Sequence, residues 1–269
     1  MNRLRLAIID MYNKFPNEGM RCIKEIVEEK KENLSYKIYD LRAEGQLPDD
    51  SYDIYISSGG PGDPSENEGW EDQYFDLLEK LWNHNLTSER KKYVFFICHS
   101  FQMASRFFKL GTLSPRNSTA FGAMSVHKTK EGKTDPILSA LENIFYVIDS
   151  RDYQLLDITE EQLNRIGAQI VCLEKKRPHT TYQRAVMAIR YSEEFFGTQF
   201  HPEAEAASLL KFFGKEEQRK TITEKYGEEK YNNLIDVLED PDRINLADRP
   251  IISTFLNIAI EKLQEVSTI

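Results

Sequence analysis

Cys98, His201 and Glu203 have the residue types and order of a thiol nucleophile, its base and the group that orients the base. His201 and Glu203 close the string Gly197-Thr198-Gln199-Phe200-His201-Pro202-Glu203, straight after an apolar stretch. Cys98 ends another apolar run, Tyr93-Val94-Phe95-Phe96-Ile97, and a helical pattern begins just after it. A carboxylate that holds one imidazole nitrogen leaves the other facing a thiol, fixes the tautomer and stabilises the imidazolium. The plainer reading of Cys98 is a small buried hydrophobe, which suits Cys22 on a helix face and Cys172 in a strand. The residues that accompany Cys98 favour the nucleophile. His84, His127 and His179 receive no role.

A third piece is Ser57-Ser58-Gly59-Gly60-Pro61-Gly62. Alone it reads as a tight turn after a strand. Beside Cys98 and His201 it gains a task, because glycines let the backbone approach a substrate carbonyl closely. The amides of Gly60 and His99 are the candidate oxyanion donors, with His99 acting through its main chain.

These residues need a scaffold that brings distant segments to one edge. In the first half, short apolar runs alternate with helical patterns. Strands are expected at residues 4–9, 36–41, 53–57 and 93–97, and helices at 18–31, 71–84 and 100–109. That alternation is the signature of an α/β sheet with parallel strands, whose carboxyl ends form the ligand crevice. Cys98 then sits at a strand end with a helix N-terminus pointing at its sulfur, an environment that favours thiolate. After Gly111 come short strands at 145–148, 169–173, 186–191 and 195–200, an antiparallel or mixed portion that returns His201 to the sheet edge, and a helix at 203–213. The tail is helical, with charge-dense residues at 215–229, a turn signal at Asp240-Pro241-Asp242, and Pro250 opening a helix with an apolar stripe from Ile252 to Val266. The tail either packs on the body or pairs with another subunit, so a homodimer is open.

Length and composition set the outer limits. The chain has 269 residues, 40% hydrophobic and 29% charged, ordinary for a soluble globular protein. Its 35 basic and 44 acidic residues leave a net charge of −9, with bases interleaved among acids, which excludes nucleic acid as a main partner. No apolar run approaches the ~20 residues that span a bilayer. The N-terminal apolar segment is too short for a secretory signal and reads as a strand. Three scattered cysteines make neither a disulfide framework nor a zinc pattern. A cytoplasmic protein is expected.

Over residues 1–213 the sequence resembles the class I glutamine amidotransferases. Ser58-Gly59-Gly60-Pro61-Gly62 looks like that family's oxyanion strand, and Cys98 with Gln102 matches its Cys-x-Gly-x-Gln frame. Phe121-Gly122 through Val126, Thr129, Gly132 and Asp135-Pro136-Ile137 are similar to GMP-synthetase-like members. Ala188 through Glu203 is the most specific match. The resemblance implies a flavodoxin-like three-layer α/β sandwich around a mostly parallel sheet in residues 1–213, with a helical extension in 214–269. It implies a glutaminase using Cys98, His201 and Glu203 through a γ-glutamyl thioester, with oxyanion donors at Gly60 and His99. Gly59, Gln102, Ser150 and Arg151 would contact the substrate, and neither metal nor cofactor is required. Arg151 is open between a carboxylate ligand and a surface arginine, in a segment, 149–153, read as a loop. Phe96 and Ser100 stand where the family carries glycines, so the elbow must accommodate them and the pocket is expected to change shape. Three functions follow: a glutaminase subunit feeding ammonia to a separate synthetase, a stand-alone hydrolase or transferase of γ-glutamyl compounds, or a weakened member kept for binding or regulation.

Overall fold

Apolar runs of four to seven residues in the first half are buried on both faces, which is what a parallel sheet covered by helices on each side demands. In the computed structural model, which describes residues 3–177, 179, 183–240 and 250–266, β1 (Leu4–Asp10), β2 (Leu34–Asp40), β3 (Ile54–Ser57) and β4 (Tyr93–Ile97) pair in parallel. β9 (Phe195–Thr198) joins β4, also in parallel. Beyond it the sheet turns antiparallel through β8 (Val186–Arg190), β7 (Gln169–Glu174), β5 (Thr112–Lys128) and β6 (Ile144–Leu156). Among the described residues the order is β2-β1-β3-β4-β9-β8-β7-β5-β6. Its parallel part has the flavodoxin-like order, whose ligand crevice lies outside the carboxyl ends near the β1/β3 switch.

Alternation along β4 shows the three layers. Tyr93, Phe95 and Ile97 join one cluster with Ile23, Ile26 and Val27 of α1 (Gly19–Glu28) and the apolar face of α10 (Pro250–Val266). Val94 and Phe96 join a second cluster, with Tyr74, Leu78 and Leu81 of α3 (Glu71–Thr87) and Phe101 and Ala104 of α4 (His99–Phe107). Short helices α2 (Leu41–Glu44), α5 (Lys130–Thr134) and α6 (Glu160–Ile166) serve as connections. The tail holds α7 (Ala206–Phe213), α8 (Glu216–Tyr226) and α9 (Glu228–Glu239) before α10.

Several expectations change. The α10 stripe is spent on the body: Phe255 packs on Tyr93 and Phe95, and Ile251, Leu256 and Leu263 are buried. Each such side chain contributes about 1.5–3 kcal/mol of burial. Residues 149–153 are not a loop but part of β6, opposite β5. The charge-dense segment is two helices, broken at Gly227, whose φ of +89° favours glycine. Residues 203–205 precede α7 instead of opening it, so Glu203 is no helix N-terminal carboxylate. Of the turn signal, Pro241 and Asp242 lie outside the described residues.

Candidate active site

β4 delivers Cys98 to the carboxyl edge of the sheet, where the chain turns into α4. The Cys98 amide still donates to the Thr198 carbonyl at 2.8 Å, continuing the β4–β9 pairing, yet its φ of +48° and ψ of −99° are strained for a side-chain-bearing residue. Such elbows expose a nucleophile above a sheet. Ser100 braces this one. Its buried hydroxyl accepts from the Ile97 amide at 2.7 Å and donates to the Ser57 carbonyl at 2.7 Å, tying the elbow to β3. Phe96 does not reshape the pocket. It points into the α3–α4 face, packs 5.7 Å from Tyr191, and lies in register with Gly197, where an added Cβ would meet Phe96 Cβ at 3.2 Å. The room that Phe96 needs comes from the neighbouring strand.

β9 ends at Thr198 and returns His201 to the same edge. The His201 amide donates to the Ile148 carbonyl at 2.9 Å, so β6 fixes its height. His201 Nδ1 donates to Glu203 Oε1 at 2.8 Å, which leaves Nε2 for the sulfur, and His201 and Cys98 line the same cavity. Burial opposes a charged imidazole, but Glu203 and then Cys98 outweigh it and hold His201 well above the ordinary histidine range. Glu203 is fully buried, and its Oε2 has no hydrogen-bond partner among the described residues. Close packing fixes the pair. A Cβ on Gly59 would sit 2.8 Å from His201 Cε1 and 3.1 Å from the Tyr12 hydroxyl, and one on Gly19 would sit 3.0 Å from Glu203 Oε1.

The glycine turn follows β3. Gly60 cannot carry a side chain, because its Cβ would lie 2.3 Å from the Met11 carbonyl. Arg42 donates to the Met11 and Pro61 carbonyls and secures the turn. His99 opens α4, so its amide has no carbonyl one turn back within the helix. Its ring is buried 6.0 Å from Trp70, and burial, reinforced by Arg42, lowers it to about 4. Gln102, one turn along α4, donates to Gln199 Oε1 at 3.1 Å, and Gln199 Nε2 lies 3.7 Å from Cys98 Sγ.

Cys98, His99, Gln102, Gly60, Ser150, Arg151, His201 and Glu203 line one cavity of about 440 Å³. Gly59 lies behind the His201 ring. The Ser150 carbonyl is 3.8 Å from Cys98 Sγ. Arg151 is no surface residue: its Nε donates to Asp149 Oδ2 at 2.8 Å, and Glu174 lies 3.7 Å from its Nη2. Its Nη1 and Asp149 Oδ1 are buried without partners among the described residues. Two residues that the sequence did not single out also stand here. Tyr12 lines the same cavity, and burial, then Glu203 and Cys98, push its phenol well up. Gln199 stands in the histidine string itself. Neither carries a periodic signal, since proximity alone gives them a place here.

Known proteins share this fold. The glutamine amidotransferase class-I family matches residues 7–209. A glutamine amidotransferase from Thermotoga maritima superposes with a TM-score of 0.70 at 18% identity, covering 97% of this chain and 100% of that one. A chain from Thermoplasma acidophilum, described as a GMP synthase subunit, gives 0.57 at 13% identity, covering 100% of both chains. The glutaminase domain of Trypanosoma brucei CTPS with bound acivicin gives 0.54 at 16% identity, covering 74% of this chain and 86% of that one. A search of curated proteins returns no match. At such identities the structures speak to the fold, and the family match over most of the chain settles membership: this chain belongs to the class I glutamine amidotransferases.

Proposed function

We propose that the protein cleaves the γ-amide of glutamine through a Cys98 thioester. The observation that carries this reading is the His201–Glu203 hydrogen bond in the same cavity as Cys98, which stands at a strained strand–helix elbow. The Cys98 thiolate attacks the γ-carbonyl, and the amides of Gly60 and His99 stabilise the oxyanion, a contribution of about 3 kcal/mol per donor in comparable sites. His201 passes its proton to the departing nitrogen, ammonia leaves, and water activated by His201 releases glutamate. Gly59 leaves room for the His201 ring. Gln102 and the Ser150 backbone hold the amino-acid end, while Arg151 shapes that wall through Asp149.

The chemistry needs no metal. The likeness to the Thermoplasma GMP synthase chain keeps a separate synthetase as the candidate ammonia acceptor. No helix among the described residues is long and apolar enough to cross a membrane.

Mass spectrometry after treatment with 6-diazo-5-oxo-norleucine tests the proposal. One adduct on Cys98, slowed by excess glutamine and absent in Cys98→Ala, is expected, and Cys98→Ala should lower glutamine turnover at least about 10⁴-fold. No adduct, while iodoacetamide still labels Cys98, would refute a glutamine-shaped site.

A further inference from the structure

The cavity at Cys98 is larger than glutamine fills. Its volume is about 440 Å³. Glutamine has about ten non-hydrogen atoms, and even at the ~30 Å³ of a liquid water each, they take no more than about 300 Å³. Bonded atoms pack closer still.

The surplus begins beside His201. Ile148 bridges to His201 through the backbone, and the Ala204 amide closes a turn on the His201 carbonyl at 3.3 Å. Both side chains belong to a third apolar cluster, separate from the two that cover the sheet, which continues through Leu234 and takes in Phe121 and Phe213. Tyr226 of α8 lies flat on Phe121, with ring centres 4.7 Å apart and planes 16° apart, and Phe213 meets Phe121 edge-on at 5.9 Å. All six of these side chains line the cavity that holds Cys98. His201 is the group that protonates the departing nitrogen, so this wall is the one a leaving amine meets. Ammonia gains nothing from apolar and aromatic surface, whereas an aromatic amine does.

We propose a second activity for this site: cleavage of γ-glutamyl amides of aromatic amines, with the amine's ring held under α8 against Phe121, Phe213 and Tyr226. It rests on the Cys98 acyl-transfer reading above. The Cys98 sulfur forms a bond to the γ-carbon and the carbon–nitrogen bond breaks. The nitrogen leaves as the free arylamine, carrying the proton that His201 took from the thiol. Water then cleaves the thioester to glutamate and restores the thiol. No oxidant or further reactant enters.

The test compares kcat/KM for L-γ-glutamyl-4-nitroanilide, followed by nitroaniline absorbance, with kcat/KM for glutamine, followed by glutamate release. The anilide is expected to exceed glutamine in the wild-type chain. Tyr226→Ala and, separately, Phe213→Leu should each lower the anilide-to-glutamine ratio by about tenfold. Glutamine exceeding the anilide, or ratios unmoved by both substitutions, while the diazo-ketone still alkylates Cys98, would overturn the amine subsite alone. Loss of alkylation together with no turnover of either compound would overturn the acyl-transfer reading and this activity with it.

Discussion

The floor and the roof of the cavity are built from different materials. The floor is the carboxyl edge of the parallel strands, where Cys98, the glycine turn and His201 leave elements buried to near zero exposure. Its polar groups are held by short-range ties such as the Ser100 bridge between β4 and β3. The roof is β5, β6 and the helices of the tail. α8 buries only Ile222, and α9 is tied to β5 by the Lys230 ammonium donating to the Thr119 carbonyl at 2.9 Å. Preorganised charge chemistry requires a rigid floor, whereas selecting a leaving group needs only a shaped surface. On the proposed chemistry, the contrast assigns rate to the floor and substrate choice to the roof.

The sharpest way to break that division is Glu203→Gln. Losing the orienting carboxylate should cost turnover about 10³-fold, with the fold intact. Its pH signature follows from the raised His201. Burial lowers the imidazole, Glu203 and Cys98 together more than offset it, and the imidazolium therefore persists above the ordinary histidine value and is lost only as pH rises through the raised one. The substitution removes the leading group that raises it, so the alkaline limb of Cys98 alkylation should move to lower pH. An unmoved limb would detach Glu203 from the titration.

His99 gives a smaller effect on stability. Burial, then Arg42, lowers it to about 4, below its unfolded value, so the unfolded chain binds that proton first as pH falls. Stability should rise with pH across roughly 4 to 6.5, by on the order of 3 kcal/mol. Urea midpoints for wild type and His99→Gln at both ends of the window check this, and the variant's slope should be flatter.

The smallest effects compare floor with roof directly. Ser100→Ala removes a buried hydroxyl that accepts from the Ile97 amide and donates to the Ser57 carbonyl, and should cost about 1–3 kcal/mol. Lys230→Ala, where water can replace a half-buried ammonium, should cost about 1 kcal/mol or less. Equal losses by denaturant titration would erase the distinction.

Legibility in the sequence follows the same line. Tyr93–Ile97 reads as a buried strand and is one, and the helix after it starts within a residue of its expected place. The consequence of Phe96 did not read correctly, because its space is supplied by Gly197, a hundred residues away on β9. β5 is harder still. Thr112–Lys128 alternates poorly, holds Pro115 and Gly122, and its pairing with β6 shifts register between Pro115 and Ala120. Its strand character comes from β6 and β7, not from its own residues.

What the sequence determined by itself was local: short apolar runs with one hydrogen-bonding solution, a glycine turn that only small residues tolerate, and a histidine with its carboxylate two positions on. Nearest neighbours along the chain settle each of these. Tertiary structure alone decided that Arg151 is held inside by Asp149, that α10 belongs to the body, and that Tyr226 meets Phe121 in the cavity that holds Cys98. Those contacts join segments whose own patterns are equally satisfied on a surface. Only the free energy of burying them together, against the rest of the fold, selects among the alternatives.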